Sequence, residues 1–272
     1  MSKLIVKPNG RDNEGKILSV TPESAAWEYV GFEVFLLKKG ETLARKTQED
    51  EACFVLLTGK ADVKTSDQEY KNIGERMSVF EKIPPYSVYV TTKETVAVTA
   101  LTDLNLAVCT APGKGNHPTR LISSKDVGVE DRGHGKMSRQ IHNILPEQVP
   151  ADSLLVVEVF TPDGNTSSYP PHKHDQNNLP SESYLEETYY HEINPKQGFV
   201  FQRVYNDNRS LNETLSVENQ NVVLVPEGYH PVSSVPGYES YYLNVMAGPV
   251  RTWKFHNDPD HEWLFENVIK NS

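Results

Sequence analysis

Tyr169-Pro170-Pro171-His172-Lys173-His174-Asp175 follows an apolar run and a Gly/Asn/Ser turn. On a strand, side chains two apart share a face, so His172 and His174 point together into whatever that face encloses. Such a pair reads as half of a metal site if further ligands exist, and as two hydrogen-bonded surface histidines if they do not. The chain has nine histidines. The first is His117, so a histidine-rich centre belongs to the second half of the chain.

Around this stretch the sequence reads as short strands between turns. Leu154 to Phe160 (LLVVEVF), Glu187 to Ile193 (ETYYHEI), Gly198 to Val204 (GFVFQRV), Asn221 to Val225 (NVVLV) and Tyr241 to Val245 (YYLNV) are rich in β-branched and aromatic residues. The second and third of these read as a hairpin about Asn194-Pro195-Lys196-Gln197. The first half shows the same order in Tyr29–Leu37, Ala52–Leu57, Ser87–Val90 and Thr95–Thr102. Strands at this spacing predict an all-β protein of sandwiches or barrels. The matching order predicts an internal duplication: a domain over 1–113, a polar, Gly-rich linker over 114–145, and a second domain over 146–272. Asp258-Pro259-Asp260 predicts a capped short helix running toward Lys270.

Composition excludes several functions. The 272 residues carry a net charge of −10, which argues against a nucleic-acid backbone or an anionic membrane as partner. No apolar run approaches the length of a membrane-spanning helix, and the N-terminus lacks the apolar core of a signal peptide. Two cysteines, Cys53 and Cys109, suit free thiols in a reducing, cytoplasmic compartment. Edge strands leave a homo-oligomer open.

The candidate metal ligands are His172, His174, an acid among Glu182, Glu186 and Glu187, and His230 in the turn after Val225. Three imidazoles and one carboxylate suit a single divalent transition metal (zinc, manganese, iron or nickel) and leave positions open for a substrate. Taken singly, each of these residues has an ordinary structural reading. Their order and spacing raise the metal reading.

HxH, a strand Glu and a later His after a Pro-x-Gly turn resemble the metal pattern of the cupin superfamily. YPPHKHD (169–175), LEETYYHEINPKQGFVFQRVY (185–205), VPEGYHPV (225–232), TPESAAWEYVGFEVFLL (21–37) and RQIHNIL (139–145) resemble the 5-deoxy-glucuronate isomerases of myo-inositol catabolism, over essentially the whole chain. That family is a bicupin of two antiparallel jelly-roll domains, related to the 4-deoxy-5-keto-uronate isomerases. The resemblance implies that His172, His174, Glu187 and His230 hold the metal, with Glu186 as the rival carboxylate. It also implies an aldose–ketose isomerisation of 5-deoxy-D-glucuronate, a small sugar acid, to 5-dehydro-2-deoxy-D-gluconate. A divalent ion on both reacting oxygens would acidify the C–H and stabilise an enediolate, and a metal-bridged hydride shift is the alternative route. A separate base is then sought among Glu182, Glu186, His191 and the tyrosines, and a cation for the substrate carboxylate among Arg203, Lys173 and Arg139. A cupin dioxygenase and a metal-stapled binding protein are the competing readings.

Overall fold

The computed structural model describes residues 2–265. Two β-sandwiches of matching topology lie back to back. The first half has a six-stranded sheet in the order Arg120–Ile122, Ser87–Val90, Asp50–Thr58, Leu104–Pro112, Gly31–Leu37, Lys16–Val20. The second half has a seven-stranded sheet in the order Ile5–Val6, Val222–Val225, Glu186–Asn194, Glu239–Ala247, Leu155–Thr161, Arg139–Leu145, Gly128–Arg132. Each is faced by a four-stranded sheet: Thr42–Lys46, Thr95–Ala100, Ala61–Lys64, Glu69–Ile73 in the first half, and Thr166–Ser167, Val232–Ser234, Phe199–Tyr205, Asn212–Glu218 in the second. All the paired strands are antiparallel, as expected of a bicupin. Each half lends a strand to the other. Ile5–Val6 pairs with Val222–Val223, and Arg120–Ile122 pairs with Ser87–Tyr89.

Alternation along the strands explains where the cores sit. Glu187, Tyr189, His191 and Ile193 face the interior of the second sandwich, with Val157, Val159 and Val204. Glu186, Tyr190 and Glu192 face the first half, where Tyr190 meets Phe32 at 5.8 Å and Glu192 accepts from Asn105 at 3.0 Å. One apolar cluster therefore joins both halves, running from Val34 and Val55 to Val156 and Leu243. A third fills the first sandwich.

Two expectations change. The segment 114–145 is not a loop. It holds Arg120–Ile122 and the hairpin Gly128–Arg132/Arg139–Leu145, because Ile141, Ile144 and Leu145 are apolar enough to be buried. Glu187–Ile193 and Gly198–Val204 do not form a hairpin. Residues 194–198 carry the chain from one sheet across to the other, so Phe199–Tyr205 pairs with Asn212–Glu218. Periodicity is the same for a hairpin and for such an arch, because each strand has one buried face in either case. At the C-terminus Asp258 accepts from the Asp260 amide at 3.0 Å and caps a 3₁₀ turn, Pro259–His261. Helix follows at 263–265, and the rest of the expected helix lies outside the described residues. Among the described residues, no helix is long and apolar enough to cross a membrane.

Candidate metal centre

Three of the four expected ligands converge. His174, Glu187 and His230 are buried, and their donor atoms lie within 4.8 Å of one another. The His174 Nε2 stands 3.0 Å from Glu187 Oε2, and His230 Nε2 stands 3.2 Å from the same oxygen. Each imidazole uses its other nitrogen on a backbone carbonyl: Nδ1 of His174 donates to Leu185 at 3.0 Å, and Nδ1 of His230 donates to Gly228 at 2.7 Å. These bonds turn both Nε2 atoms toward the carboxylate, the arrangement in which histidines present lone pairs to a cation. His230 Nε2 has no hydrogen-bond partner although it is buried. A buried orphan nitrogen aimed at a buried carboxylate fits a bound metal better than it fits a satisfied polar core.

His172 stands at the rim, half-buried and outside this group of three. Its ring lies 5.2 Å from that of His230 and 4.8 Å from that of Phe255. Burial, then the neighbouring His230 and His174 charges, hold its pKa well below the ordinary value. Its strand pairs with His256–Asn257, a contact that the sequence did not announce.

The local chain explains the geometry. Glu186 and Glu187 are adjacent on a strand, so only one of them can face the sandwich interior. Glu187 does, and Glu186 faces the first half. Gly228 has φ +86°, and a Cβ there would come within 2.4 Å of the Tyr205 carbonyl oxygen. Only glycine fits this turn. The Gly228 amide also donates to Asp175 at 2.8 Å, which ties the His230 turn to the His174 strand. Burial opposes a charge on Glu187, yet the His174 hydrogen bond and the adjacent His230 imidazole hold its pKa down to about 2. Burial likewise opposes protonation of His174, but the bond to Glu187 and its charge raise that pKa above 6.5.

The remaining expected residues separate. Glu182 is buried away from the ligand group, where it accepts the Asp175 amide at 2.7 Å. His191 lies on the Glu187 face, but its Nε2 bonds Gln202 at 3.0 Å and burial lowers its pKa to about 4. Arg203 points outward, because Gln202 and Val204 on its strand take the interior. It bonds Asn212 at 3.0 and 2.9 Å and lies 4.1 Å over Tyr205. Lys173 is occupied by Asp175 and Asp207 at 3.2 and 2.6 Å.

Of the expected cations, Arg139 is the one that the structure brings to the centre. With Arg132, His172, Glu187, Tyr189 and Tyr242 it lines a cavity in the sandwich interior. That cavity opens past Tyr169, Trp253 and Phe255 into a cleft of about 380 Å³. Nη1 of Arg139 donates to Met137 and Tyr169 carbonyls at 3.0 and 3.2 Å, while Arg132 pairs with Glu130. On the cavity wall the Ser168 hydroxyl bridges those of Tyr189 and Tyr242, at 3.0 and 3.3 Å. Ser168 does so from a left-handed backbone, φ +49°. Sequence reasoning missed this hydroxyl chain and Arg132. Strand alternation from Glu187 places Tyr189 on the inner face, but nothing local marks Ser168.

The KduI/IolB family profile matches residues 4–264. A 5-deoxy-glucuronate isomerase of Geobacillus thermodenitrificans is 67% identical over 269 residues, 99% of this chain and 98% of that one. That of Bacillus subtilis strain 168 is 52% identical over 270 residues, covering 98% and 100%. An IolB-like protein of Salmonella typhimurium superposes with a TM-score of 0.94 at 53% identity, over 96% of this chain and 99% of that one. An oxalate decarboxylase of Lactobacillus farciminis reaches a TM-score of 0.68 at 13% identity, over 100% and 93%, a likeness of fold alone.

Proposed function

The chain belongs to the KduI/IolB family, and from that premise we propose that it is a 5-deoxy-glucuronate isomerase whose centre is built on His174, Glu187 and His230. It interconverts 5-deoxy-D-glucuronate and 5-dehydro-2-deoxy-D-gluconate in inositol catabolism. The observation that carries the site is the meeting of two imidazole nitrogens on one buried carboxylate oxygen. His172 is the fourth candidate ligand, from the rim. We place the enzyme in the cytoplasm, in keeping with free Cys53 and Cys109. Residues 1–113 act as the metal-free domain, and 146–272 together with the strands Gly128–Arg132 and Arg139–Leu145 as the catalytic one.

The reaction moves one hydrogen between adjacent carbons and one proton between their oxygens. A divalent transition metal bound at the three ligands would draw negative charge onto the reacting oxygens. The chain's own residues hold the substrate and move the oxygen-bound proton. Arg139 meets the substrate carboxylate as a charge-assisted donor. The Tyr189–Ser168–Tyr242 hydroxyls take the oxygen-to-oxygen proton. Burial raises both phenol pKa values, so both stay neutral and able to donate. Tyr169, Trp253 and Phe255 exclude water at the mouth. The test is conversion of 5-deoxy-D-glucuronate by the metal-loaded protein under anaerobic conditions without added nucleotide. A requirement for oxygen would favour a dioxygenase, and no turnover would favour a binding protein.

Arg139→Ala should raise KM by about tenfold to a hundredfold, the worth of one charged hydrogen bond, with a smaller change in kcat. Arg203→Ala, on the outer face, should leave both constants unchanged. Steady-state kinetics on the two variants separate these assignments.

The pH dependence of stability should invert on metal binding. Without metal, the depressed Glu187 pKa contributes stability above its ordinary 4.5, which drains as the pH falls toward 2. The raised His174 pKa contributes stability below 6.5, lost as the pH rises through its folded value. A metal needs the neutral imidazole and displaces that proton. Melting curves with and without chelator should therefore move apart from about pH 6 to 8. Parallel curves would contradict His174 as a ligand.

A further inference from the structure

Two glutamates at matching places grip the opposite half of the molecule. Glu51, on Asp50–Thr58, accepts the amides of Asp152, Ser153 and Leu154 at 2.7, 2.6 and 2.6 Å. Glu186, opening Glu186–Asn194, accepts those of Glu28, Tyr29 and Val30 at 2.6, 2.7 and 3.0 Å. Each carboxylate thus holds three successive amides just before a strand of the other half, Leu155–Thr161 in one case and Gly31–Leu37 in the other. Register confirms the match. Glu51 stands opposite Ala111 and Glu186 opposite Ala247, on equivalent neighbouring strands.

The residues that follow differ. After Glu51 comes Ala52, which faces the apolar interior of the first sandwich. After Glu186 comes Glu187. The same comparison pairs Ala52 with Val90 and Glu187 with Val225, and the offset that leads from Val225 to His230 leads from Val90 to Thr95. The first half therefore keeps the grip and lacks the ligands.

We infer that Glu186 is a positioning residue for the metal centre, an inference that rests on Glu187 and His174 being its ligands. Glu186 lies between two of its parts. Leu185, on one side, accepts the His174 Nδ1 proton, and Glu187, on the other, supplies the carboxylate. The start of a strand is where backbone pairing is weakest and fraying begins. Three charge-assisted bonds from the first half pin that start, so the Leu185 carbonyl and the Glu187 carboxylate hold their places relative to both imidazoles. The histidine-free half is thereby part of the centre's geometry.

The symmetry supplies its own control. Glu186→Gln and Glu51→Gln each weaken an equivalent grip on three amides, and Glu51 also accepts the Tyr89 hydroxyl, so both should lower the melting temperature, Glu51→Gln at least as much. Competition of Zn²⁺ and Mn²⁺ against a chromophoric chelator then separates the roles. Glu186→Gln should weaken metal affinity by about tenfold or more, the usual effect of losing a partner that orients a ligand. Glu51→Gln should stay within about twofold of the parent by the same reasoning. Glu186→Asp and Glu51→Asp, which keep the charge but shorten the reach, repeat the comparison in a milder form. Equal losses of affinity in the two members of a pair, or none at Glu186, would overturn the inference while leaving the metal centre in place. A parent that binds neither ion would overturn both.

Discussion

His174→Ala should leave a folded protein that neither retains metal nor isomerises its substrate, with turnover lowered by about 10³-fold or more. The estimate follows from the several kcal/mol that a metal contributes to charge stabilisation in such reactions. The substitution removes one of two imidazoles that meet Glu187 and leaves the carboxylate with His230 alone. Folding should survive, because the sandwich interior around Val157, Val204 and Tyr242 is untouched. The checks are elemental analysis, circular dichroism and turnover on the same preparation. Glu187→Gln should behave alike, as it keeps the shape of the side chain but not the charge. Turnover at the parental rate in either variant would remove the metal from the mechanism.

The largest loss of stability should come from the seam between the halves. Arg76 of the first half and Glu158 of the second are both buried and pair through two bonds, at 2.7 and 2.8 Å. Arg76 also donates to the Leu57 and Ile83 carbonyls at 2.7 and 3.0 Å. Glu158 accepts further bonds from His142 at 2.7 Å and Tyr241 at 2.9 Å. Glu158→Ala would leave a guanidinium in an apolar seam without its counter-charge. The expected cost is about 3–5 kcal/mol, or a fall in melting temperature of roughly 10 °C for a chain of this size. Removing both charges with Arg76→Met and Glu158→Leu should recover most of it, because an apolar pair needs no solvation. If the single variant melts like the parent, the seam does not carry the stability assigned to it.

The sequence by itself determined the fold class, the duplication and the half in which the histidines gather. These follow from features that are local or countable. Strand alternation, turn residues and the absence of histidine before His117 do not depend on how the strands later meet. His174 and His230 were legible for the same reason, since one belongs to a His-x-His pair and the other follows a Pro-x-Gly turn. The tertiary structure alone decided the rest. It set Glu187 rather than Glu186 beside His174 and His230, because the strand presents one to the sandwich interior and the other to the first half. It turned Arg203 outward and brought Arg139 inward from a segment that sequence reading took for a linker. It set His172 at the rim against Phe255 from the far end of the chain, and joined Ser168 to two tyrosines. Each of these depends on which side of a sheet faces what, and on contacts between residues far apart in the chain. A single strand's pattern records that one of its faces is buried, but not which partner buries it.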